Sequence, residues 1–195
     1  PCTLLNCCDV MQDAALFYAN KAQHPDFLLP EHFILATLHR AENTDSPERL
    51  QSIIAALEEI AREMPVVIPI HPRTRKKLQE LNFNFKQTRL QLVDPVGYLE
   101  MVHLLKHCSL VATDSGGLQK EAYFFKKYCI TLRTETEWVE LVEQGANIIT
   151  GWRYEDILNS YKQLKHTTKD VFSSPLYGDG QAGHIIIREL QRIDS

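Results

Sequence analysis

The sequence lacks the features that would place it in several large classes of proteins. Its 195 residues carry 21 Lys or Arg against 25 Asp or Glu, which gives a net charge of −4. Proteins that bind duplex nucleic acids need clustered cations to displace counterions, and the densest basic run here, residues 73–77, is short. We also expect no signal peptide, and no apolar run in the sequence is long enough to cross a bilayer. We therefore expect neither a nucleic acid nor a membrane among its partners.

Cysteine is scarce and shows no pairing pattern. The five cysteines are Cys2, Cys7, Cys8, Cys108 and Cys129, an odd number without paired zinc spacing. No His or Cys pair stands at a suitable spacing near Cys7-Cys8, so we interpret these side chains as small hydrophobes rather than metal ligands. We expect no metal site, and the use of cysteine favours a reducing cytoplasm.

Length and composition are those of an ordinary globular protein. With 44% apolar and 24% charged residues, the chain suits one large domain, or one domain and an appendage. There is no internal repeat and no low-complexity segment. The first residues, PCTLLNCCDV, contain no initiator methionine, and we expect the chain to be cut from something longer.

Short apolar runs alternate with helical patterns along the chain. The clearest helix follows Ser46, Pro47 and Glu48, which are typical of an N-cap, a first helical position and a first turn. It ends before Pro65. We predict strands over residues 32–38, 66–70, 90–93, 110–113, 129–132 and 147–150. Further helices are predicted over residues 9–22, 74–81, 98–107, 118–127, 137–143, 154–165 and 181–193.

This alternation predicts an α/β fold with a parallel sheet covered on both faces. In such a sheet, ligands bind outside the carboxyl ends of the strands. Polar segments follow five successive predicted strands, and we expect them to converge on one rim. They are residues 39–43, 71–73, 94–98, 114–117 and 133–137.

The segment Asp-Ser-Gly-Gly at residues 114–117 lies between a predicted strand and a predicted helix. Free N–H groups at a helix start favour an anion, and Gly116 and Gly117 would let a diphosphate approach the backbone. No lysine follows the glycines, which fits a phosphate that is held rather than transferred. Glu121 points back toward the loop and could accept hydrogen bonds from a ribose diol. The alternative, a tight turn followed by a helix with Glu121 on its surface, explains the same residues equally well.

Three other rim positions are weaker candidates. His39 follows the first predicted strand and could act as an acid, a base or a phosphate partner, although a capping histidine is the simpler reading. The same capping interpretation applies to His71. Around Tyr98 and Met101, a backbone amide and an apolar side chain could cover a flat base, and burial in the core is the alternative.

Six motifs together resemble one known family. They are TLHRAEN, PIHPRT, DPVGYLEM, ATDSGGLQKEAYFFKK, LRTETEWVELVEQGAN and YGDGQA. They occur in the order found in the non-hydrolysing UDP-N-acetylglucosamine 2-epimerases, and the resemblance runs from Asp9 to Ala182. It covers only the C-terminal half of those enzymes, which are two-domain proteins of glycosyltransferase-B architecture.

This resemblance implies a Rossmann-like doubly wound sheet and a division of the chain. Residues 1–25 would form an interdomain hinge segment and helix, residues 26–178 the nucleotide-binding domain, and residues 179–195 a crossover helix. The implied partners are UDP, a UDP-sugar and the N-terminal domain that has no counterpart here. The parent protein is expected to be a homodimer.

The resemblance also implies residue roles, without NAD or an essential metal. The loop of Ser115, Gly116 and Gly117 would bind the diphosphate and Glu121 the ribose. His39 falls on the active-site histidine of the family.

The resemblance further implies that the Val96 backbone and Met101 contact the uracil and that Arg133 lies near the phosphates. Met101 replaces a stacking Phe of some members, and Trp138 replaces a ligand-binding Arg. Both replacements resemble the branch with epimerases of diacetamido uronic-acid sugar nucleotides. A glycosyltransferase half and a non-catalytic nucleotide-binding module are the other hypotheses.

Overall fold

Six parallel strands form one sheet in the computed structural model of this protein, which describes residues 4–193. The strands are β1 (Ile34–Thr37), β2 (Val66–Pro69), β3 (Gln91–Val93), β4 (Leu110–Thr113), β5 (Cys129–Thr131) and β6 (Asn147–Ile149). Their order across the sheet is β3-β2-β1-β4-β5-β6. Every adjacent pair is parallel. This is the strand order of a Rossmann-type doubly wound sheet, whose direction of winding reverses between β1 and β4.

Helices connect the strands and cover both faces of the sheet. They are α1 (Val10–Ala19), α2 (Ala41–Thr44), α3 (Pro47–Ile60), α4 (Pro72–Glu80), α5 (Tyr98–His107), α6 (Gly116–Phe124), α7 (Val139–Glu143), α8 (Tyr154–Lys165) and α9 (Ala182–Ile193). All six predicted strands and the eight predicted helices are present, with ends that differ by a few residues. The predicted α/β class and parallel sheet are therefore confirmed.

The hydrophobic core has two layers because successive side chains of a buried strand point to opposite faces of the sheet. Ile34 and Ala36 of β1 face the layer built by α3 and α8. Phe33 and Leu35 face the other layer, which α5 and α6 cover. All four residues of β1 are buried, as expected for a central strand covered on both sides.

Two helix starts show how local sequence sets the connections. The Ser46 side chain accepts a hydrogen bond from the Arg49 backbone N–H, and Pro47 is the first residue of α3, as predicted. The Ser115 side chain caps α6 in the same way by accepting from the Leu118 N–H. This cap draws the start of α6 back to Gly116, two residues before the predicted start, so the glycines form its first turn.

The two ends of the described chain pack together. The Asp13 carboxylate on α1 accepts hydrogen bonds from the backbone N–H groups of Ala182 and Gly183 at the start of α9, at 3.2 and 2.7 Å. Helix α1 also packs on α5 and α6. The last helix therefore docks on its own chain. The predicted boundaries at 25/26 and 178/179 stay predictions, and Cys2 and residues 194–195 of the predicted crossover segment lie outside the described residues.

No helix within residues 4–193 is both long enough and apolar enough to span a membrane.

Candidate functional site

The candidate site lies where β1 and β4, neighbours in the sheet, end at the same edge. This is the reversal point at which ligands bind in doubly wound folds. The hydroxyls of Thr37 and Thr113, the last residues of the two strands, are 2.5 Å apart and buried. The chain then diverges into the loop at His39 on one side and the glycine loop on the other.

The buried carboxylate of Asp114 holds the two loops together. It is completely buried and accepts hydrogen bonds from the backbone N–H groups of His39 and Arg40, at 3.1 and 2.9 Å. The Asn43 side chain donates to it as well, at 3.2 Å. The Nδ1 atom of His39 lies 3.5 Å from the same carboxylate. Asp114 therefore orients the backbone that carries His39 and stabilises the start of α2, a helix that the sequence pattern did not predict.

The glycine loop presents two free donors. The Ser115 N–H donates to the Thr113 hydroxyl, and the Leu118 N–H to the Ser115 hydroxyl. Among the described residues, no acceptor pairs with the backbone N–H groups of Gly116 and Gly117. A side chain on Gly116 would meet a Glu137 oxygen at 3.3 Å, so glycine lets Glu137 pack closely against the loop there. Free N–H groups at the start of α6 are suited to an anion.

Glu121 lies one turn further along α6 and faces the same space. Its side chain is buried, with 8% of the residue exposed. Burial raises the pKa of the Glu121 carboxyl, and a hydrogen bond from Tyr98 partly offsets the increase. Burial together with the negative charge of Glu121 raises the pKa of the Tyr98 hydroxyl to about 12. The predicted alternative of an exposed helix residue is therefore wrong for Glu121.

A cleft of ≈ 270 Å³ brings five of the eight predicted site residues together. They are His39, Met101, Ser115, Gly117 and Glu121. Gly116, between Ser115 and Gly117 in the loop, is buried and does not line the cleft. His71 lines the cleft too, although its Nδ1 accepts from the Arg73 N–H and caps α4, as the simpler sequence interpretation expected.

Val96 and Arg133 lie outside this cleft. Val96 is half-buried against the same apolar layer as Met101 and lines a neighbouring depression that also contains Asp94 and Glu100. Pro95 borders both spaces.

Arg133 is engaged by two carboxylates. Its Nη1 donates to both oxygens of Glu137 at 2.8 and 2.9 Å, and its Nε lies 3.4 Å from a Glu42 oxygen. Hydrogen bonding from Arg133 is the main cause of the lowered pKa of Glu137. The bond to Glu137 likewise raises the pKa of Arg133. The arginine is buried on the β5 side of the rim, and the structure does not bring it to the cleft.

Sequence reasoning assigned no role to the residues that support the glycine loop from behind. The Gln119 side chain donates to the Ser115 carbonyl at 3.2 Å, and the Trp138 indole donates to the Gly116 carbonyl at 2.8 Å. Gln119 also accepts from the side chains of Thr136 and Asn147. The sequence signal for this network is that the polar residues Gln119 and Asn147 stand at buried positions, where apolar residues are usual.

No group of three or more His, Cys, Asp or Glu within residues 4–193 is arranged to hold a metal ion. Cys7, Cys8, Cys108 and Cys129 are free thiols. Burial raises the pKa of both Cys108 and Cys129 to about 12, so these two remain protonated and unreactive near neutral pH.

Comparison with known sequences agrees with the resemblance. The family model described as UDP-N-acetylglucosamine 2-epimerase matches residues 3–191. The chain is 50% identical over 193 residues to the UDP-2,3-diacetamido-2,3-dideoxy-D-glucuronate 2-epimerase of Pseudomonas aeruginosa, covering 97% of this chain and 53% of that protein. It is 39% identical to the UDP-N-acetylglucosamine 2-epimerase of Methanocaldococcus jannaschii over 84% of this chain and 45% of that protein.

Solved structures show the same relation. The UDP-GlcNAc 2-epimerase of Methanocaldococcus jannaschii in complex with UDP-GlcNAc and UDP superposes with a TM-score of 0.84 at 34% identity, over 96% of this chain and 54% of that one. The glycosyltransferase WaaG matches with a TM-score of 0.53 at 11% identity, which shows a shared fold alone. The chain thus spans about half the length of the relatives that it matches, their C-terminal half. This chain belongs to the UDP-N-acetylglucosamine 2-epimerase family.

Proposed function

We propose that this chain is the UDP-binding half of a UDP-sugar 2-epimerase. The observation that carries the proposal is the cleft at the β1–β4 reversal point, where the glycine loop and the Glu121 carboxylate face the same space. The two free N–H groups of the loop suit a diphosphate, and an ionised carboxylate suits a ribose diol. A nucleoside diphosphate presents both groups.

The remaining site residues complete a nucleotide pose. Met101 lines the cleft with Glu121, Val96 lines the neighbouring depression, and both would contact the uracil. His39 borders the cleft beside Ser115 and would lie near the diphosphate and the reacting sugar. Arg133 would act near the phosphates only if the ligand drew it from Glu137, so it is the least supported of the eight assignments.

The proposed reaction inverts C2 of the sugar in two balanced steps. A base removes the C2 proton while the C1–O bond breaks, so that UDP leaves and a 2-acetamidoglucal remains. UDP then adds back to C1, and an acid protonates C2 from the other face. UDP-N-acetylglucosamine would become UDP-N-acetylmannosamine in this way. The acidic groups for proton transfer would come from the half of the parent protein that this chain lacks, so we expect these residues alone to bind UDP weakly without epimerising.

The cleft is close in volume to an ordinary small-molecule pocket. At ≈ 270 Å³ it falls just below the roughly 300–1,000 Å³ that is usual for small-molecule pockets. A second domain closing over the carboxyl edge of the sheet would add a further wall. We further propose that the parent protein is a cytoplasmic homodimer that supplies activated sugars for polysaccharide synthesis.

A second candidate substrate is a diacetamido uronic-acid sugar nucleotide. The 50% identity to the Pseudomonas aeruginosa enzyme of that name favours it, as does Trp138 in the position of a ligand-binding arginine. The full-length parent protein should be incubated with each UDP-sugar in turn, and the C2 epimer followed by proton NMR. Conversion of one substrate at least a hundredfold faster than the other would decide between them.

Two further alternatives have separate tests. A glycosyltransferase would transfer the sugar to an acceptor and release no glucal, so trapping 2-acetamidoglucal from the parent protein would exclude it. A non-catalytic nucleotide-binding module would bind UDP and leave both UDP-sugars unchanged in that same incubation.

Calorimetric titration with UDP tests the nucleotide site directly. Replacing Glu121 by Ala should weaken binding by about 1–3 kcal/mol, because a hydrogen-bonded charged acceptor is lost. Glu63→Ala is a matched control, since Glu63 pairs with Lys165 far from the cleft. Equal UDP affinity for the wild type and for Glu121→Ala would place the nucleotide elsewhere.

A further inference from the structure

Lys120, next to Glu121 on α6, is a buried lysine that the nucleotide site does not use. Only 6% of the residue is exposed. A buried ammonium is stable only where partners replace its water, since an unpaired charge in the interior is strongly unfavourable. Specific partners must therefore surround Lys120. Because α6 begins at the glycine loop, those partners lie close to the loop.

Three groups surround the Lys120 ammonium. It forms an ion pair with Asp9, the residue that caps α1. It also lies over two aromatic rings, 4.0 Å from the centroid of Trp138 and 4.4 Å from that of Tyr177. Cation–π contacts of this kind strengthen when the cation is desolvated. The ammonium thus holds the Trp138 ring on one side and the N-terminal cap of α1 on the other.

Trp138 transmits this arrangement to the glycine loop. Its indole N–H donates to the Gly116 carbonyl at 2.8 Å, and the same nitrogen lies 3.7 Å from where a Cβ of Gly116 would be. The Gly116 carbonyl belongs to the peptide whose N–H is that of Gly117. A hydrogen bond that holds the carbonyl therefore also holds the direction of a proposed phosphate donor.

Helix α1 reaches the same loop by a second route. The Met11 methyl lies 3.5 Å from where a Cβ of Gly117 would be. Met11 follows Asp9 closely, and its backbone N–H donates to the Asp9 carboxylate at 2.7 Å. The segment that pairs with Lys120 is thus in direct contact with the loop as well.

We propose that the chain of contacts Asp9–Lys120–Trp138 positions the glycine loop for a diphosphate. Lys120 is a positioning residue here, because it acts on the loop through Trp138 and does not line the cleft. The inference rests on the proposed function for the identity of the anion, whereas the coupling of Lys120 to the loop does not depend on it. Its consequence is that nucleotide affinity depends on how α1 is held.

Two substitutions and one control test the proposal. Lys120→Met removes the charge and keeps the length, and Trp138→Phe removes the N–H and keeps a ring. Lys165→Met is the control, because Lys165 is an ion-paired lysine on α8, away from the cleft. The first readout is hydrogen exchange of residues 115–118 in the ligand-free protein, and the second is UDP affinity by calorimetry.

Trp138→Phe should accelerate exchange of the glycine-loop amides and weaken UDP binding about three- to tenfold, since one hydrogen bond contributes roughly 1 kcal/mol. Lys120→Met should have the same two effects. The double variant should lose no more UDP affinity than the single variant with the larger loss, because both substitutions act through one contact. The control should match the wild type in both readouts.

The outcomes separate this inference from the function on which it rests. If the wild type binds no UDP, the proposed function fails. Hydrogen exchange of residues 115–118 in the variants then tests by itself whether Lys120 and Trp138 are coupled to the loop. If UDP binds and both variants keep wild-type affinity and exchange, the coupling is overturned. If Lys120→Met does not fold, Trp138→Phe decides, because it leaves the ion pair to Asp9 in place.

Discussion

The two sides of the rim contain similar residue types but differ in how their polar groups are paired. On the cleft side, the N–H groups of Gly116 and Gly117 have no acceptor among the described residues, and Glu121 is buried with Tyr98 as its hydrogen-bond partner. On the β5 side, Arg133 donates two hydrogen bonds to Glu137. Both sides follow the same rule that polar residues cluster after parallel strands. The backbone donors on the cleft side have no acceptor among the described residues, whereas the Arg133 guanidinium on the β5 side is already held by the carboxylates of Glu137 and Glu42. This difference favours the cleft side as the binding surface.

Two glutamates on this rim show the same contrast in their pKa values. Burial raises the pKa of Glu121, because the charged form loses water without a cation to replace it. The hydrogen bond from Arg133 lowers the pKa of Glu137. A carboxylate that is costly to ionise can gain from a ligand that donates to it, whereas a carboxylate already paired with arginine gains little.

The largest effect should come from removing the carboxylate that joins the two loops. Asp114→Ala leaves the N–H groups of His39 and Arg40 and the Asn43 amide without their acceptor in a buried place. We expect the free energy of unfolding to fall by about 3 kcal/mol or more, as unsatisfied buried donors accumulate. Urea denaturation measures it, with the exposed Asp156→Ala as control. A loss below about 1 kcal/mol would mean that the loops do not depend on Asp114.

Arg133→Met should produce the next largest effect, mainly on stability. It removes the hydrogen bonds to Glu137, and we expect a loss of about 1–3 kcal/mol in the free energy of unfolding. UDP affinity should fall less than in Glu121→Ala. The opposite pattern, with unchanged stability and a larger loss of affinity, would make Arg133 a direct phosphate ligand and break the contrast between the two sides.

UDP affinity should depend on pH through Glu121. The ribose contact needs the ionised carboxylate, and the pKa of Glu121 lies above 4.5. Affinity should therefore decrease as the pH is lowered through that raised pKa. Calorimetric titrations at a series of pH values measure this dependence, and Glu121→Gln should flatten it. A profile unchanged in the glutamine variant would assign the titration to another group, such as the UDP phosphate itself.

The smallest effect concerns stability at the same residue. Because the folded-state pKa of Glu121 is raised, the ionised form lowers stability at neutral pH, and the free energy of unfolding rises as the pH falls through that pKa toward 4.5. Glu121→Gln should be slightly more stable than the wild type at neutral pH, and the difference should shrink on acidification. Urea denaturation at two pH values measures it. A glutamine variant that is less stable at neutral pH would contradict the assigned burial.

Local sequence patterns predicted which helices and strands exist better than they predicted the residues at which these begin and end. Ser46 and Pro47 marked the start of α3 correctly, since a cap and a fixed φ act within one turn. The short helix α2 was missed because it depends on Asp114, more than 70 residues away in the chain. For the site, local spacing placed Ser115, Gly117 and Glu121 together, and they line one cleft, although their binding roles stay predictions. The support that Gln119 and Trp138 give the loop was not predicted, because it depends on the tertiary structure.

The sequence by itself determined the alternation of strands and helices and the polar residues at the strand ends, because periodicity and capping are local properties of the chain. It did not determine which of those polar residues share a cleft. That required the order β3-β2-β1-β4-β5-β6, which places His39 beside the glycine loop and leaves Arg133 to pair with Glu137. Strand order depends on residues far apart in the chain, as does the contact of Arg133 with Glu42, so only the tertiary structure decides which polar groups meet in the cleft.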